Sequence, residues 1–267
     1  VSDDGDRSWV DSMPAAYDRW LGPAVFRPFA VDLARRAARL EPRRVLELAA
    51  GTGTLTRELV AALPATEVTA TDLNTAMVEF GSSQVPAATW EQADALHLPF
   101  PDGQFDLLVC QFGVMFFPDR PAGFAEARRV LTPGGRLLFN TWDAVETHGF
   151  ARALVAGLER AFPDDPPTFL SAVPHGYTDL RLVAADLLAG GLDLVSAERV
   201  TLEGHADSAA DVALGFCTGT PLRSAIQARA DLAATTDIVT DEMTARLGVG
   251  PVSARMTAHV VEARPPG

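Results

Sequence analysis

"VLELAAGTGTLTREL", residues 45–59, sets an apolar run, a glycine turn and a helical pattern in immediate succession. Val45, Leu46 and Leu48 read as a buried strand, and Leu55 and Leu59 recur at helical spacing. Gly51 and Gly53 let the chain turn tightly and bring its backbone close to a ligand. A helix that starts at such a turn aims its positive end at whatever sits there. The stretch therefore predicts a site for a nucleotide-like ligand, and the residues around the turn decide which kind.

A triphosphate loop needs a lysine after its last glycine. The 22 basic residues of this chain are all arginine, which also excludes a Schiff-base lysine and a lysine general base. A dinucleotide fingerprint needs a third glycine for close helix–strand packing, and Thr56 stands in its place. The remaining clue is acidic: Glu47 lies on the strand, just before the turn.

Outward from the turn, strand and helix signals alternate. A helical segment over 14–40 precedes it and stops at Pro42. "EVTATD" reads as a strand, "NTAMVEFGSSQ" as a helix with Asn74 as N-cap, "AATWEQAD" as a short strand and "FDLLVCQF" as a strong buried strand. "PAGFAEARRVL" is helical, "TPGG" a turn and "GRLLFNTW" a strand. This order predicts a parallel sheet with helices on both faces. After Trp142 come helical stretches broken by "PDDPPTF" and by Gly219 and Pro221. Two strands, near 192–202 and 252–264, are expected to pair antiparallel at one edge.

The run "ELAAGTG" resembles motif I of the class I S-adenosylmethionine-dependent methyltransferases, an acidic residue followed by x-G-x-G-x-G, with Ala49 in place of the first glycine. "TATDLNTAMVEF", "EQADALHLPFPDGQFDLLVCQFGVMFFPD" and "ARRVLTPGGRLLFNTW" are similar to that family's following segments, in its order and spacing. The likeness covers residues 43–142 and is nearest the small-molecule branch, which includes ubiquinone and menaquinone biosynthesis enzymes and many natural-product methyltransferases. It implies a doubly wound, Rossmann-like, seven-stranded α/β sheet, mostly parallel with an antiparallel final strand pair. It also implies S-adenosylmethionine as cofactor and in-line methyl transfer to O, N, S or C of a small molecule. A nicotinamide-dependent oxidoreductase, or a protein that binds adenosylmethionine without transferring methyl, is the alternative.

The resemblance implies roles for particular residues. Asp72, ending the second strand, would accept both ribose hydroxyls, and Asp94 the adenine amino group. Ala95 would offer a backbone amide, and Leu73 would flank the ring. Ala49, Gly51 and Gly53 would form the turn. Gln111 would lie beside the methionyl part, Glu47 would organise its amine side, and Tyr17 in "AAYDRW" would close over it. Asp106 is expected to cap a strand entry, with no ligand role. If the acceptor must lose a proton, His175 is the preferred base over His148, with Tyr177 orienting the base or the substrate.

The expected organisation is an N-terminal helical segment (1–42), the adenosylmethionine-binding core (43–142), a lid insertion (143–177) and a return to the core (178–204). A helical insertion (205–248) and a final core strand with its tail (249–267) complete it. The two insertions are expected to form a lid over the carboxyl ends of the strands. The net charge of −13 disfavours nucleic acid and anionic membrane surfaces as partners. Cys110 and Cys217 make no disulfide framework, the histidines show no metal-ligand spacing, and the acidic start "VSDDGDRSW" is unlike a signal peptide. A cytoplasmic enzyme acting on a small, largely apolar methyl acceptor is the resulting expectation.

Overall fold

A computed structural model describes residues 13–267. The acidic start of the chain, and with it the reading of that stretch as unlike a signal peptide, lies outside the described residues.

The described residues begin with α1 (Met13–Ala16), a π-helical stretch (Tyr17–Phe26) and α2 (Arg27–Ala38). Pro23 lies inside the π-helical stretch, where the Arg27 N–H reaches back to the Gly22 carbonyl. Proline has no N–H to donate, and the wider turn is how this helix continues past it. The core elements follow: β1 (Arg44–Glu47), α3 (Thr54–Ala62), β2 (Glu67–Asp72), α4 (Thr75–Gln84) and β3 (Thr89–Gln92). After them come β4 (Phe105–Gln111), α5 (Arg120–Val130) and β5 (Leu131–Trp142). The rest comprises α6 (Gly149–Ala161), α7 (Phe169–Ala172), α8 (Leu180–Ala189), β6 (Asp193–Ala206), α9 (Ala209–Gly219), α10 (Leu222–Gln227), α11 (Leu232–Leu247) and β7 (Val252–Arg264).

The seven strands form one sheet in the order β3-β2-β1-β4-β5-β7-β6. Strands β3 to β5 pair in parallel, and β7 runs antiparallel to β5, with Asn140 opposite Val260 and Thr141 opposite His259. β6 closes that edge, antiparallel to β7. The strand order reverses at β1, between β2 and β4. In open sheets of this kind the crevice outside the carboxyl ends at that reversal is where ligands bind. The expected turn at "TPGG" is instead an irregular start to β5. Phe105 pairs with Leu131 but Leu107 with Arg136, so the intervening residues bulge out of the ladder.

Local chemistry explains the element ends. Asn74 caps α4 by accepting from the Met77 N–H, and Asp119 caps α5 through Ala122. The Asp106 carboxylate accepts from the Arg43 and Arg44 amides at 2.9 and 3.0 Å, fastening the entry to β1. One face of the sheet packs Val45, Val68, Leu107, Val109, Leu138 and Val260 against Leu33, Leu55 and Leu59. Each such aliphatic side chain contributes about 1.5–3 kcal/mol on full burial.

By internal contacts the chain falls into two compact units. A sheet unit comprises residues 29–142, 177–200 and 258–267, and a helical unit comprises, among the described residues, 13–28, 143–176 and 201–257. In the helical unit α6 approaches α11 so closely at Gly157 that a Cβ there would lie 2.9 Å from the Val239 Cα. No helix among the described residues is long and apolar enough to cross a membrane.

Candidate active site

The glycine turn is built from left-handed backbone. Ala49, Gly51 and Gly53 have φ of 52, 56 and 86°. Glycine takes such angles freely, whereas alanine at φ 52° is strained, so the one departure from the motif falls where a Cβ costs most. Gly53 begins α3 with no side chain capping it, leaving the helix's N-terminal amides facing the turn. The hydroxyls of Thr52 and Thr54 are buried there with no hydrogen-bond partner among the described residues.

Asp72 closes the neighbouring side. Its Oδ2 accepts from the Gly51 N–H at 2.8 Å and its Oδ1 from the Asn74 N–H at 2.9 Å. The second bond does belong to the α4 entry, but the first ties the carboxylate directly to the turn. These bonds, one to each oxygen, orient the carboxylate. Leu73, next to it, is 41% exposed.

Glu47 is 1% exposed. Burial, and more weakly the nearby Asp72 charge, push its carboxyl up to about 8, against the lowering effect of a hydrogen bond from Thr56. That bond, from Thr56 Oγ1 to Glu47 Oε2 at 2.6 Å, gives the residue in the third-glycine position a clear occupation. Thr56 was missed as a site residue. The signal was present: a hydroxyl one helical turn into α3, on the side that returns toward the acidic strand residue. Thr71 adds a second clasp by donating to the Glu47 carbonyl at 2.8 Å.

Asp94 follows β3 in a tight turn. Its Oδ1 accepts from the Leu96 N–H at 2.9 Å, and its Oδ2 lies 3.3 Å from His97 Nδ1. Ala95, between them, is half-buried. Gln111 ends β4 opposite Asn140 on β5. Glu47, Ala49, Gly51, Gly53, Asp72, Leu73, Asp94, Ala95 and Gln111 thus all belong to the sheet unit, on loops or ends beyond β1 to β4.

Tyr17, His148 and His175 belong to the helical unit. The Tyr17 ring stacks on Phe26 at 4.7 Å. His148 and His175 are buried and meet edge to face at 5.5 Å. Burial holds both below the ordinary histidine range, and His175 lowers His148 further. Their tautomers differ. His148 Nδ1 accepts from the Ala151 N–H and caps α6, so its proton is on Nε2. His175 Nδ1 lies 2.6 Å from the Asp143 carbonyl, which can only accept, so its proton is on Nδ1 and Nε2 is the basic nitrogen.

Tyr177 is placed differently from the two histidines. It belongs to the sheet unit, is fully buried, donates its hydroxyl to Asp186 at 2.8 Å and carries the Arg120 guanidinium 4.1 Å over its ring. The hydroxyl and the ring are thus both engaged at the α5–α8 contact. Cys110 is equally occupied by packing, its thiol pushed up to about 12 by burial.

Residues 45–135 match the family model described as a methyltransferase domain. The matched segment lies within the sheet unit. The demethylmenaquinone methyltransferase of Deinococcus radiodurans is 42% identical over 113 residues, covering 39% of this chain and 47% of that protein. The ubiquinone/menaquinone biosynthesis C-methyltransferase UbiE of Methylobacterium nodulans is 38% identical over 140 residues, covering 50% of this chain and 56% of its own. The chain thus spans about half the length of the curated relatives it matches. Among solved structures, phosphoethanolamine N-methyltransferase 2 of Haemonchus contortus superposes with a TM-score of 0.60 at 17% identity, over 97% of this chain and 58% of that one. At that identity the likeness speaks for the fold.

Proposed function

We propose that this chain is an S-adenosylmethionine-dependent methyltransferase acting on a small, largely apolar acceptor in the cytoplasm. The observation that carries the reading is the Asp72 carboxylate, tied at 2.8 Å to the Gly51 amide of a left-handed glycine turn. A carboxylate in that position suits a ribose with two free hydroxyls, and no pyrophosphate cradle is needed. The residues fit the cofactor's other end too. The unpartnered hydroxyls of Thr52 and Thr54, with the first amides of α3, are donors for its carboxylate. Leu73, exposed beside Asp72, offers an apolar face to the adenine, and Asp94 and Ala95 its polar edge. Glu47 and Gln111 serve the amine side.

The cofactor, when bound, supplies an already activated methyl group on sulfonium. The protein's own work is then orientation and exclusion of water. For an acceptor with a removable proton, His175 is the group suited to take it. Its Nε2 is basic, and burial keeps the ring neutral at neutral pH. His148, with its proton on Nε2, has the donor tautomer instead. The acceptor reading rests on the net charge of −13, which repels polyanions, and on helical segments rich in Leu, Val, Ala and Phe. Relatives named for demethylmenaquinone and for ubiquinone/menaquinone biosynthesis agree with an apolar molecule.

Calorimetry with adenosylmethionine, adenosylhomocysteine and NAD tests the cofactor, and transfer of isotope-labelled methyl to a cell extract tests the reaction. Binding of NAD with neither adenosyl ligand would sink the proposal. Binding without transfer would leave a cofactor-binding protein of another kind.

A further inference from the structure

Just beyond Gln111 the chain takes a conformation that an L-residue resists: Phe112 has φ 52°. Three contacts hold it there. Its N–H is accepted twice by Asn140, through the backbone carbonyl at 3.2 Å and through side-chain Oδ1 at 2.9 Å. Its ring stacks on Trp142 with centroids 3.7 Å apart and planes 7° from parallel. The Phe29 ring meets both edge-on, at 5.4 and 5.1 Å. Asn140 and Trp142 are two residues apart on β5, so one strand face supplies both the hydrogen bond and the stack.

The next residue carries the consequence to the glycine turn. Gly113 is pressed so close that a Cβ there would fall 2.6 Å from the Ala49 Cβ and 2.6 Å from the Cys110 Sγ. Ala49 is itself strained at φ 52°. Two strained residues, one in each loop, thus frame one close contact through Gly113. Strain of this kind persists only where the surroundings over-determine it, and it gathers where loops meet ligands. Asn140 is fully buried, and its Nδ2 has no hydrogen-bond partner among the described residues. A half-satisfied amide is a costly way merely to fill a core.

We propose that Asn140 is a positioning residue: its side-chain carbonyl holds Phe112 left-handed, which seats Gly113 against the glycine turn and sets Gln111 for the cofactor. The inference rests on the cofactor reading above and adds to it a residue that acts through another. Phe112 pays for the arrangement in strain, and Asn140 is what makes the strained conformer the occupied one.

The test uses adenosylhomocysteine as probe, with the whole chain and five variants: Asn140→Ala, Phe112→Ala, Phe112→Gly and each of the two Phe112 changes combined with Asn140→Ala. Without ligand, exchange of the Phe112 amide should accelerate in Asn140→Ala while thermal melting stays cooperative. Its affinity for the probe should fall about tenfold, within the coupling range of residues in contact. The loss should persist beside Phe112→Ala, which keeps the strain. It should shrink to within about twofold beside Phe112→Gly, because glycine takes φ 52° unaided. A merely structural role for Asn140 would give equal losses in both backgrounds, and that result, or unchanged affinity, overturns the proposal. If Asn140→Ala does not fold, the single Phe112 variants decide. Phe112→Gly binding at least as tightly as Phe112→Ala is expected with Asn140 present; much weaker binding by Phe112→Gly overturns the proposal. A wild-type chain that binds no adenosylhomocysteine refutes the cofactor reading itself, which separates that failure from this one.

Discussion

The glycine turn and the histidine pair are both polar groups set in apolar surroundings, but they are made in opposite ways. At the turn, backbone geometry comes first. Three left-handed residues, the Gly51–Asp72 bond and the Asn74 cap fix where side chains go. In the helical unit, side-chain packing comes first. His148 and His175 are placed by one helix cap, one carbonyl and their contact with each other. The difference teaches what each region tolerates. A backbone-built site should keep its shape when a side chain is cut away and lose only ligand. A packing-built site should lose chemistry and local order together.

The sharpest probe of the histidine side is His175→Ala. If His175 is the base, turnover should fall by roughly 10²–10⁴-fold, the usual contribution of a positioned base. Cofactor affinity should stay unchanged, since every cofactor contact proposed for the sheet unit remains. Single-turnover kinetics with calorimetry separates the two. Near-normal turnover at all pH values would leave orientation as the whole mechanism and make the pair a packing device. The pH dependence has a definite sign. Burial lowers the folded-state histidine, so the basic form survives below the ordinary histidine range, and any acid loss of rate should begin below about 6.5.

On the turn side, Asp72→Ala should weaken cofactor binding by about 10–100-fold, as expected for losing charge-assisted bonds to two hydroxyls. The fold should survive, because the turn's left-handed residues remain. Asp94→Ala should cost less. Its carboxylate sits in a loop whose own Leu96 bond can be replaced by water. A larger loss at Asp94 than at Asp72 would exchange their roles. Collapse of the Asp72 variant would show that the carboxylate builds the turn, which breaks the contrast drawn above.

Glu47 joins the two modes, since it is placed by a strand yet buried like a core residue. Its carboxyl is raised to about 8, so the folded protein holds this proton where an unfolded chain has already released it. By linkage, its contribution to stability is present at low pH and is lost as pH rises from about 4.5 through about 8. A cationic cofactor favours the ionised form. Affinity for adenosylmethionine should therefore rise between pH 6 and 8, with release of a proton that calorimetry in two buffers can count. Glu47→Gln should flatten both profiles. A wild-type affinity independent of pH would mean that Glu47 is a structural acid linked only to Thr56.

The contrast also explains what could be read in the sequence. The turn, Asp72 and the Asn74 cap were legible because glycine, strand-end acids and caps carry their geometry in their residue type. Asp106 was legible as a fastener of strand entry for the same reason. Tyr177 was not. Its neighbour in sequence is the "HGY" turn, but its hydroxyl goes to Asp186 and its ring lies under Arg120, contacts that exist only after α5 and α8 pack. Thr56 and Asn140 were hidden similarly. A threonine on a helix and an asparagine in a strand signal nothing until the fold sets Glu47 beside one and Phe112 beside the other. The bulge at the start of β5 escaped because "TPGG" looks like any turn, and only strand pairing shows that the ladder resumes on both sides of it.

The smallest expected effect is the most direct test of a backbone-built site. Ala49 sits at φ 52° where the motif has glycine, while Ala50, its neighbour, has no such angle. A left-handed L-residue costs about 1–2 kcal/mol. Glycine gives back roughly 0.5–1 kcal/mol of that through its larger unfolded-state entropy. Ala49→Gly should therefore stabilise the protein by about 0.5–1 kcal/mol, a rise of about 1–4 °C in melting temperature for a chain of this size. Ala50→Gly should do the reverse, since it frees the unfolded chain and relieves nothing. The Gly113 contact sets the limit on the gain, because the Ala49 Cβ is among the atoms nearest to Gly113, 2.6 Å from where a Cβ there would stand. If Ala49→Gly is more stable yet binds adenosylhomocysteine less tightly, the methyl group is there to press the β4 loop into place. If it is more stable and binds equally well, the strain is incidental and the turn is defined by Gly51 and Gly53 alone. A destabilised Ala49→Gly would mean that packing outweighs backbone angle even here, and the distinction between the two regions would fail at its clearest point.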